Sequence, residues 1–257
     1  SEKGGQVGDK GIIENEQIKF IVDDTQIDER GIIHHIGKLE RGNIQDIKIG
    51  MKVKCFVNKE FRKKVSINHT STHLLHYALR EIIGKEVRQA GSYVGEEKLR
   101  FDFVCFSPID EEKIQKVEEM VQEKIFDSSE VKIEVMQLDE VFKKDIVALF
   151  MEKYENNVRV INIGNYHSEV CGGTHVKNTS EIFLFKITSF TSIGKNLKRI
   201  EGITYKECIK YLNKGIKAVK EISNLLNSPE EKIIKRTKEL IEEKEEKEKM
   251  IIKYENR

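Results

Sequence analysis

Three histidines and one cysteine carry the chemistry that can be read from this sequence. His69 and His73 stand four apart in "NHTSTHLLHYALREIIG", residues 68–84, where apolar residues recur at helical spacing. On a helix that separation is nearly one turn, so both imidazoles project from one face and can share an ion. About a hundred residues later, "CGGTH" sets Cys171 and His175 four apart, with Gly172 and Gly173 between them. Glycines let the backbone turn sharply and approach a neighbour closely, a use that offsets their cost in chain entropy. Either pair alone arises easily by chance. Together, imidazole nitrogen and thiolate sulfur make the donor set that Zn2+ prefers. We read His69, His73, Cys171 and His175 as Zn2+ ligands. No Glu follows His69, so a zinc peptidase with its general base has no support. Four protein ligands are the count of a closed structural zinc, whereas catalytic zinc keeps a position open. Either one of the four binds weakly or not at all, or coordination expands when substrate arrives. His34, His35, His76 and His167 show no comparable spacing and read as ordinary polar residues.

The elements that position these groups follow from periodicity. Residues 1–58 hold short β-like runs, "IKFIV", "GIIHHIGKL" and "MKVKCFV", separated by Gly31, Gly37, Gly42 and Gly50, the spacing of a small β-barrel or meander. Leu74, Leu75, Ala78, Leu79, Ile82 and Ile83 then follow the 3.6-residue period, and Gly84 supplies a stop. A second helix is expected to open at Ser107 as cap and Pro108 as first helical residue. The runs "VKIEVMQL", "VRVINIG", "IFLFKITSF" and "RIEGITY" read as strands. Strands and helices mixed without βαβ alternation predict an α+β domain over 59–206. From 207 the chain becomes a helical extension to 257, restarted at "NSPEEK", where Ser228 and Glu231 have the spacing of a capping box. Its last helix is heavily charged, with a thin apolar seam (Ile234, Ile241, Ile252). It reads as a solvated helix, with self-association through a coiled coil as the alternative.

Composition bounds the rest. With 257 residues the chain can bury a real core. A net charge of +1 argues neither for nor against a nucleic-acid partner, which would have to be met by local patches. The four cysteines, Cys55, Cys105, Cys171 and Cys208, are scattered as expected in a reducing compartment. No apolar run approaches the ~20 residues of a membrane span, and nothing resembles a signal peptide, so a cytoplasmic location is expected. Because the chain opens inside a glycine-rich turn without an initiator Met, it is expected to be a piece of something longer.

Residues 68–103, with "CGGTHVKNTSEIFLFKI" and "LKRIEGITY", resemble the editing domain of alanyl-tRNA synthetase. The opening "GGQVGD" and "GIIHHIGKL" are similar to the segment preceding that domain, and the helical tail is similar to the start of its C-terminal domain. The likeness departs at Lys3, where the family carries a small residue, and at Asp145 and Met151, where it carries glycines. Nothing in the chain resembles the ATP-binding catalytic region, so charging of tRNA is not expected.

The resemblance implies zinc-dependent hydrolysis of Ser-tRNA(Ala) and Gly-tRNA(Ala) at the 3' acceptor end. It implies editing-site roles for Gln89, which matches a family position, and places Thr70 and Thr72 within reach of a serine hydroxyl. Gly172 and Gly173 would admit the terminal adenosine, and Gln6 and Asp9 could line the same cleft. Lys195, Lys198 and Arg199, with Arg62, Lys63 and Lys64, are candidate phosphate contacts. Other readings stay open: a free-standing trans-editing deacylase, the editing-like domain of threonyl-tRNA synthetase, and a structural zinc module that binds RNA without catalysis.

Overall fold

The computed structural model describes residues 5–144, 146–148 and 156–255. Lys3, Asp145 and Met151, where the sequence departs from the family pattern, lie outside the described residues. The chain divides into two compact units, Ser1–Cys208 and Ile209–Arg257.

The first unit begins with β1 (Gly11–Glu14), β2 (Lys19–Ile27), β3 (Ile33–Arg41) and β4 (Lys54–Val57), which form an antiparallel sheet in the order β3-β2-β1-β4. The barrel expected here is not formed: the sheet is open, and no closed barrel occurs among the described residues. The reason is geometric. β1 and β4 are only four residues long, so β4 pairs with β1 alone and never reaches β3. Four strands, two of them this short, cannot supply the tilt and stagger that closure needs.

Helix α1 (Lys59–Ile82) follows, opened by the Asn58 side chain, which accepts from the Phe61 amide at 3.0 Å. From Val65 to His76 every residue of α1 is buried, the polar ones included. Buried hydroxyls need partners. Thr70, Ser71 and Thr72 each bond to the carbonyl four residues back, at 3.1, 2.8 and 2.9 Å. Asn68 donates to the Gly95 carbonyl at 2.8 Å and accepts from the Thr204 hydroxyl at 2.6 Å.

Around α1 lie two further antiparallel sheets. One, ordered β10-β11-β6-β5, is built from β5 (Arg88–Val94), β6 (Leu99–Val104), β10 (Phe185–Ser192) and β11 (Leu197–Thr204). The other, β7-β8-β9, is built from β7 (Val131–Gln137), β8 (Asn157–Ile163) and β9 (His167–Val170). Helix α2 (Glu111–Phe126) and the short α3 (Leu138–Lys143) complete the α+β arrangement. The main apolar core joins Leu74, Leu75, Ala78 and Leu79 of α1 to Phe101, Phe103, Val117, Val121, Ile161 and Ile200.

Two helix starts differ from the sequence expectation. Helix α2 is capped by Asp110, whose side chain accepts from the Lys113 amide at 2.8 Å, while Ser107 instead donates to Glu86. In the second unit, Pro229 precedes a single turn at Glu230–Lys232 that has no side-chain cap bond. Helix α4 (Tyr205–Leu225) leads into this unit, and α5 (Ile233–Glu255) follows the turn. The seam residues Ile234, Ile241 and Ile252 of α5 are all exposed.

Candidate metal centre

The two candidate ligand pairs arrive from different elements and meet in one buried place. His69 and His73 lie on the buried stretch of α1, their rings 5.3 Å apart and 10° from parallel, as one helical turn dictates. Cys171 and His175 lie in the turn that follows β9. Donor atoms of all four residues lie within 4.8 Å of one another. Cys171 Sγ is 3.3 Å from His69 Nε2 and 3.3 Å from His175 Nε2. A tetrahedral ion with ~2.0 Å bonds to nitrogen and ~2.3 Å to sulfur spaces such donors about 3.5 Å apart. Those two separations are close to what zinc would require.

The opposite ring nitrogens are all engaged. His69 Nδ1 faces Gln6 Oε1 at 2.8 Å, His175 Nδ1 faces the Thr70 hydroxyl at 3.3 Å, and His73 Nδ1 faces Glu169 Oε2 at 2.8 Å. Outer partners of this kind fix a ligating imidazole's orientation and tautomer. His73 Nε2, by contrast, is buried and has no hydrogen-bond partner. An orphaned nitrogen beside a thiol and two imidazoles is what a metal site would present, so the residues fit a zinc ion.

The loop is shaped to the same end. Arg159 Nη1 donates to the Cys171 carbonyl at 2.9 Å and to the Gly173 carbonyl at 2.6 Å, pinning the turn from β8. Gly173 is buried, and a Cβ placed on it would run into the His69 ring and Gln6 Oε1. Only glycine lets the turn come this close. Gln6 Oε1 also accepts from the Thr174 amide at 2.8 Å and from its hydroxyl at 3.1 Å, tying the N-terminal segment to the loop.

Electrostatics polarise the cluster. Burial opposes ionisation of Cys171, but His69 and His73 outweigh it and hold the thiol well below its usual range. Burial also opposes charge on His73, yet Glu169 and Cys171 raise its pKa to about 10. Burial pushes His175 down to about 3, keeping it neutral. Burial would raise Glu169, but His73 foremost holds it well below the ordinary carboxylate range. Burial likewise lowers His167.

The other candidates are placed as follows. Thr70 is in contact with His175 and also accepts from the Val176 amide at 3.2 Å. The Thr72 hydroxyl is committed to the Asn68 carbonyl. Gln89, half-buried on β5, donates to Ser92 at 3.1 Å. Asp9 forms a two-pronged ion pair with Arg62, at 2.9 and 2.6 Å. Gly172 is exposed beside buried Gly173. Lys195 and Lys63 are exposed, Lys64 lies 3.5 Å from Glu96, and Lys198 donates to Ser192 at 2.7 Å. Arg199 is taken up by Asp102 at 2.7 and 2.8 Å.

Four residues of the cluster escaped the sequence reading: Glu169, His167, His76 and Arg159. Glu169 Oε2 is 3.1 Å from His167 Nε2 and 3.3 Å from His76 Nδ1 as well as bonded to His73. One signal was available. In "HSEVC" the residues His167, Glu169 and Cys171 alternate, and on a strand alternate residues share a face.

The class to which this region belongs comes from residues 158–201, which match the threonyl and alanyl tRNA synthetase second additional domain. Residues 1–61 match the class II (A) tRNA synthetases. Within that class the chain is similar over nearly its whole length to alanine–tRNA ligases. It is 44% identical over 241 residues to that of Thermoanaerobacter sp. (strain X514), covering 93% of this chain and 27% of the relative. It is 42% identical over 242 residues to that of Clostridioides difficile (strain 630), covering 94% and 27%. For Petrotoga mobilis (strain DSM 10674 / SJ95) the identity is 41% over 233 residues, covering 91% and 26%. These matches support a stretch of an alanyl-tRNA synthetase that includes its second additional domain, and the chain spans 27% of the length of the curated relatives it matches first. No helix among the described residues is long and apolar enough to cross a membrane.

Proposed function

We propose that this chain is an aminoacyl-tRNA ester hydrolase that removes serine or glycine wrongly joined to the 3' acceptor end of tRNA(Ala). Zn2+ would be held by His69, His73, Cys171 and His175. One observation carries the reading: four donors of the kind zinc prefers converge within 4.8 Å, in a chain whose relatives are named alanine–tRNA ligases. When bound, zinc supplies a Lewis acid for an ester carbonyl or a water of lowered pKa.

The remaining work falls to the chain's own groups. Gln6, Thr70 and Glu169 hold the three imidazoles so that their other nitrogens converge. Exposed Gly172 leaves room beside the centre for the terminal adenosine. Gln89 and the threonines of α1 are the candidate contacts to the amino acid. Such contacts are needed because size cannot sort these substrates: glycine is smaller than alanine and serine larger. A pocket with polar groups paired by the serine hydroxyl, and left unpaired by alanine, discriminates where an apolar one fails. Lys195 and Lys63 are exposed and make no ion pair among the described residues, so they could meet phosphates without giving one up, whereas Arg62 and Arg199 would first have to leave Asp9 and Asp102.

The test is hydrolysis of serine-charged tRNA(Ala) by the purified chain, with alanine-charged tRNA(Ala) and a zinc chelator as controls. Serine release that the chelator blocks, with the alanyl ester left intact, is the expected result. The four-donor count favours one other reading, a closed structural zinc that shapes an RNA-binding module. Bound metal and bound tRNA without any release would select it.

A further inference from the structure

The Glu169 carboxylate is the least expected group in the molecule. It is 2% exposed. A single oxygen, Oε2, faces three imidazole nitrogens: His73 Nδ1 at 2.8 Å, His167 Nε2 at 3.1 Å and His76 Nδ1 at 3.3 Å. An ionised carboxylate only accepts, so each nitrogen turned toward it carries a hydrogen. For His73 that assignment bears on the metal site: with hydrogen on Nδ1 held by Glu169, only the Nε2 proton can be given up to an ion, and Nε2 is the atom left without a partner. His76 supports the same conclusion from its other end. Its Nε2 is also buried and unpartnered. The fold leaves that nitrogen unsatisfied while its Nδ1 stays turned to Glu169, and Phe101 packs against the ring at 5.3 Å.

Resting on the metal reading above, we propose that Glu169 is the positioning residue of the centre. Its one oxygen sets the tautomer of His73, and His76 and His167 clamp that oxygen in place. His73 is the ligand that requires this, because it alone among the three histidine ligands gives its outer hydrogen bond to a charged group. Gln6 and Thr70, the outer partners of His69 and His175, are neutral. A carboxylate also makes the ring a stronger donor to a metal than an amide or hydroxyl does.

The experiment uses the full chain and its Glu169→Gln variant, a change that keeps shape but replaces one acceptor oxygen by an N–H donor. Zinc affinity is measured by competition with a chromophoric chelator. Ring 15N–1H correlation spectra of the zinc-loaded and metal-free proteins report which nitrogen of His73 carries hydrogen, and circular dichroism checks the fold. The expected result is a folded variant whose zinc affinity falls ~10- to 100-fold, and whose His73 loses the Nδ1–H seen in the wild type. Substituted Co2+ should show altered d–d bands in the variant. Wild-type affinity with an unchanged His73 pattern would overturn the proposal. Should Glu169→Gln fail to fold, the wild-type spectrum decides alone, since hydrogen absent from His73 Nδ1 would also overturn it. A wild type that binds no zinc defeats the metal reading instead, and the metal-free spectrum then still judges the Glu169–His73 bond.

Discussion

Replacing Gly173 by alanine puts one methyl group into the tightest contact of the centre. The added Cβ would overlap the His69 ring and sit 2.8 Å from Gln6 Oε1. Neither neighbour can withdraw easily. His69 is rooted in the buried stretch of α1, and Gln6 Oε1 is held by the His69 ring nitrogen, the Thr174 amide and the Thr174 hydroxyl at once. The backbone of Gly173 is not in the left-handed region, so the effect is steric and not conformational. Inserting a methyl into a filled space costs about 1–3 kcal/mol. Because the methyl bears on a proposed ligand, the cost should fall on metal binding, a loss of roughly 5- to 150-fold in affinity at about 1.4 kcal/mol per decade. Gly91→Ala is the matched control, since its Cβ would meet only Asp102 side-chain atoms at 3.7 and 3.8 Å. Competition with a chromophoric chelator and a thermal melt, run on both variants, make the comparison. Gly173→Ala binding zinc within twofold of the wild type would refute the packing argument.

Two further outcomes are expected. In the metal-free chain, burial holds His175 neutral with a pKa of about 3 against its ordinary 6.5, so the unfolded chain takes up a proton that the folded chain refuses. The stability this contributes is full above pH 6.5 and is lost as pH falls toward 3; the urea midpoint should therefore drop between pH 7 and pH 4.5, and a flat profile would contradict it. Asn68→Ala should destabilise by about 3 kcal/mol, because it strands the Gly95 carbonyl and the Thr204 hydroxyl in a buried place. Adding Thr204→Val should restore part of that loss in the same denaturation assay.

How far the sequence reaches can be judged from particular residues. The His-x-x-x-His pair and the Cys-Gly-Gly-Thr-His turn were legible because their spacing encodes a shared face and a sharp bend. Strands β7, β8, β10 and β11 were legible from β-branched runs. The open N-terminal sheet was not, since closure depends on strand length and stagger, which alternation does not encode. The Asp110 cap was missed because Ser107 and Asp110 are both good caps, and only the tertiary bond from Ser107 to Glu86 separates them. His76 was invisible, and Glu169 showed only through the alternation in "HSEVC", for a different reason: their importance comes from long-range contact, with sequence separations of 93 and 96 positions between partners. The polar run Asn68–His73 would suit a surface, and only its internal hydroxyl bonds show how it can be buried.

The span of these contacts bears on when the metal can enter. His69 and Cys171 are 102 positions apart, so an ion joining them would close a very long loop. In an unfolded chain such a staple would remove much conformational freedom. Here the apolar core already draws α1 to Ile161, Ile163 and Val176 on either side of the cysteine loop. If that packing closes the loop by itself, an ion would inherit a finished cage instead of building one. Loading then belongs after folding, and stripping the metal should leave a folded, reloadable protein.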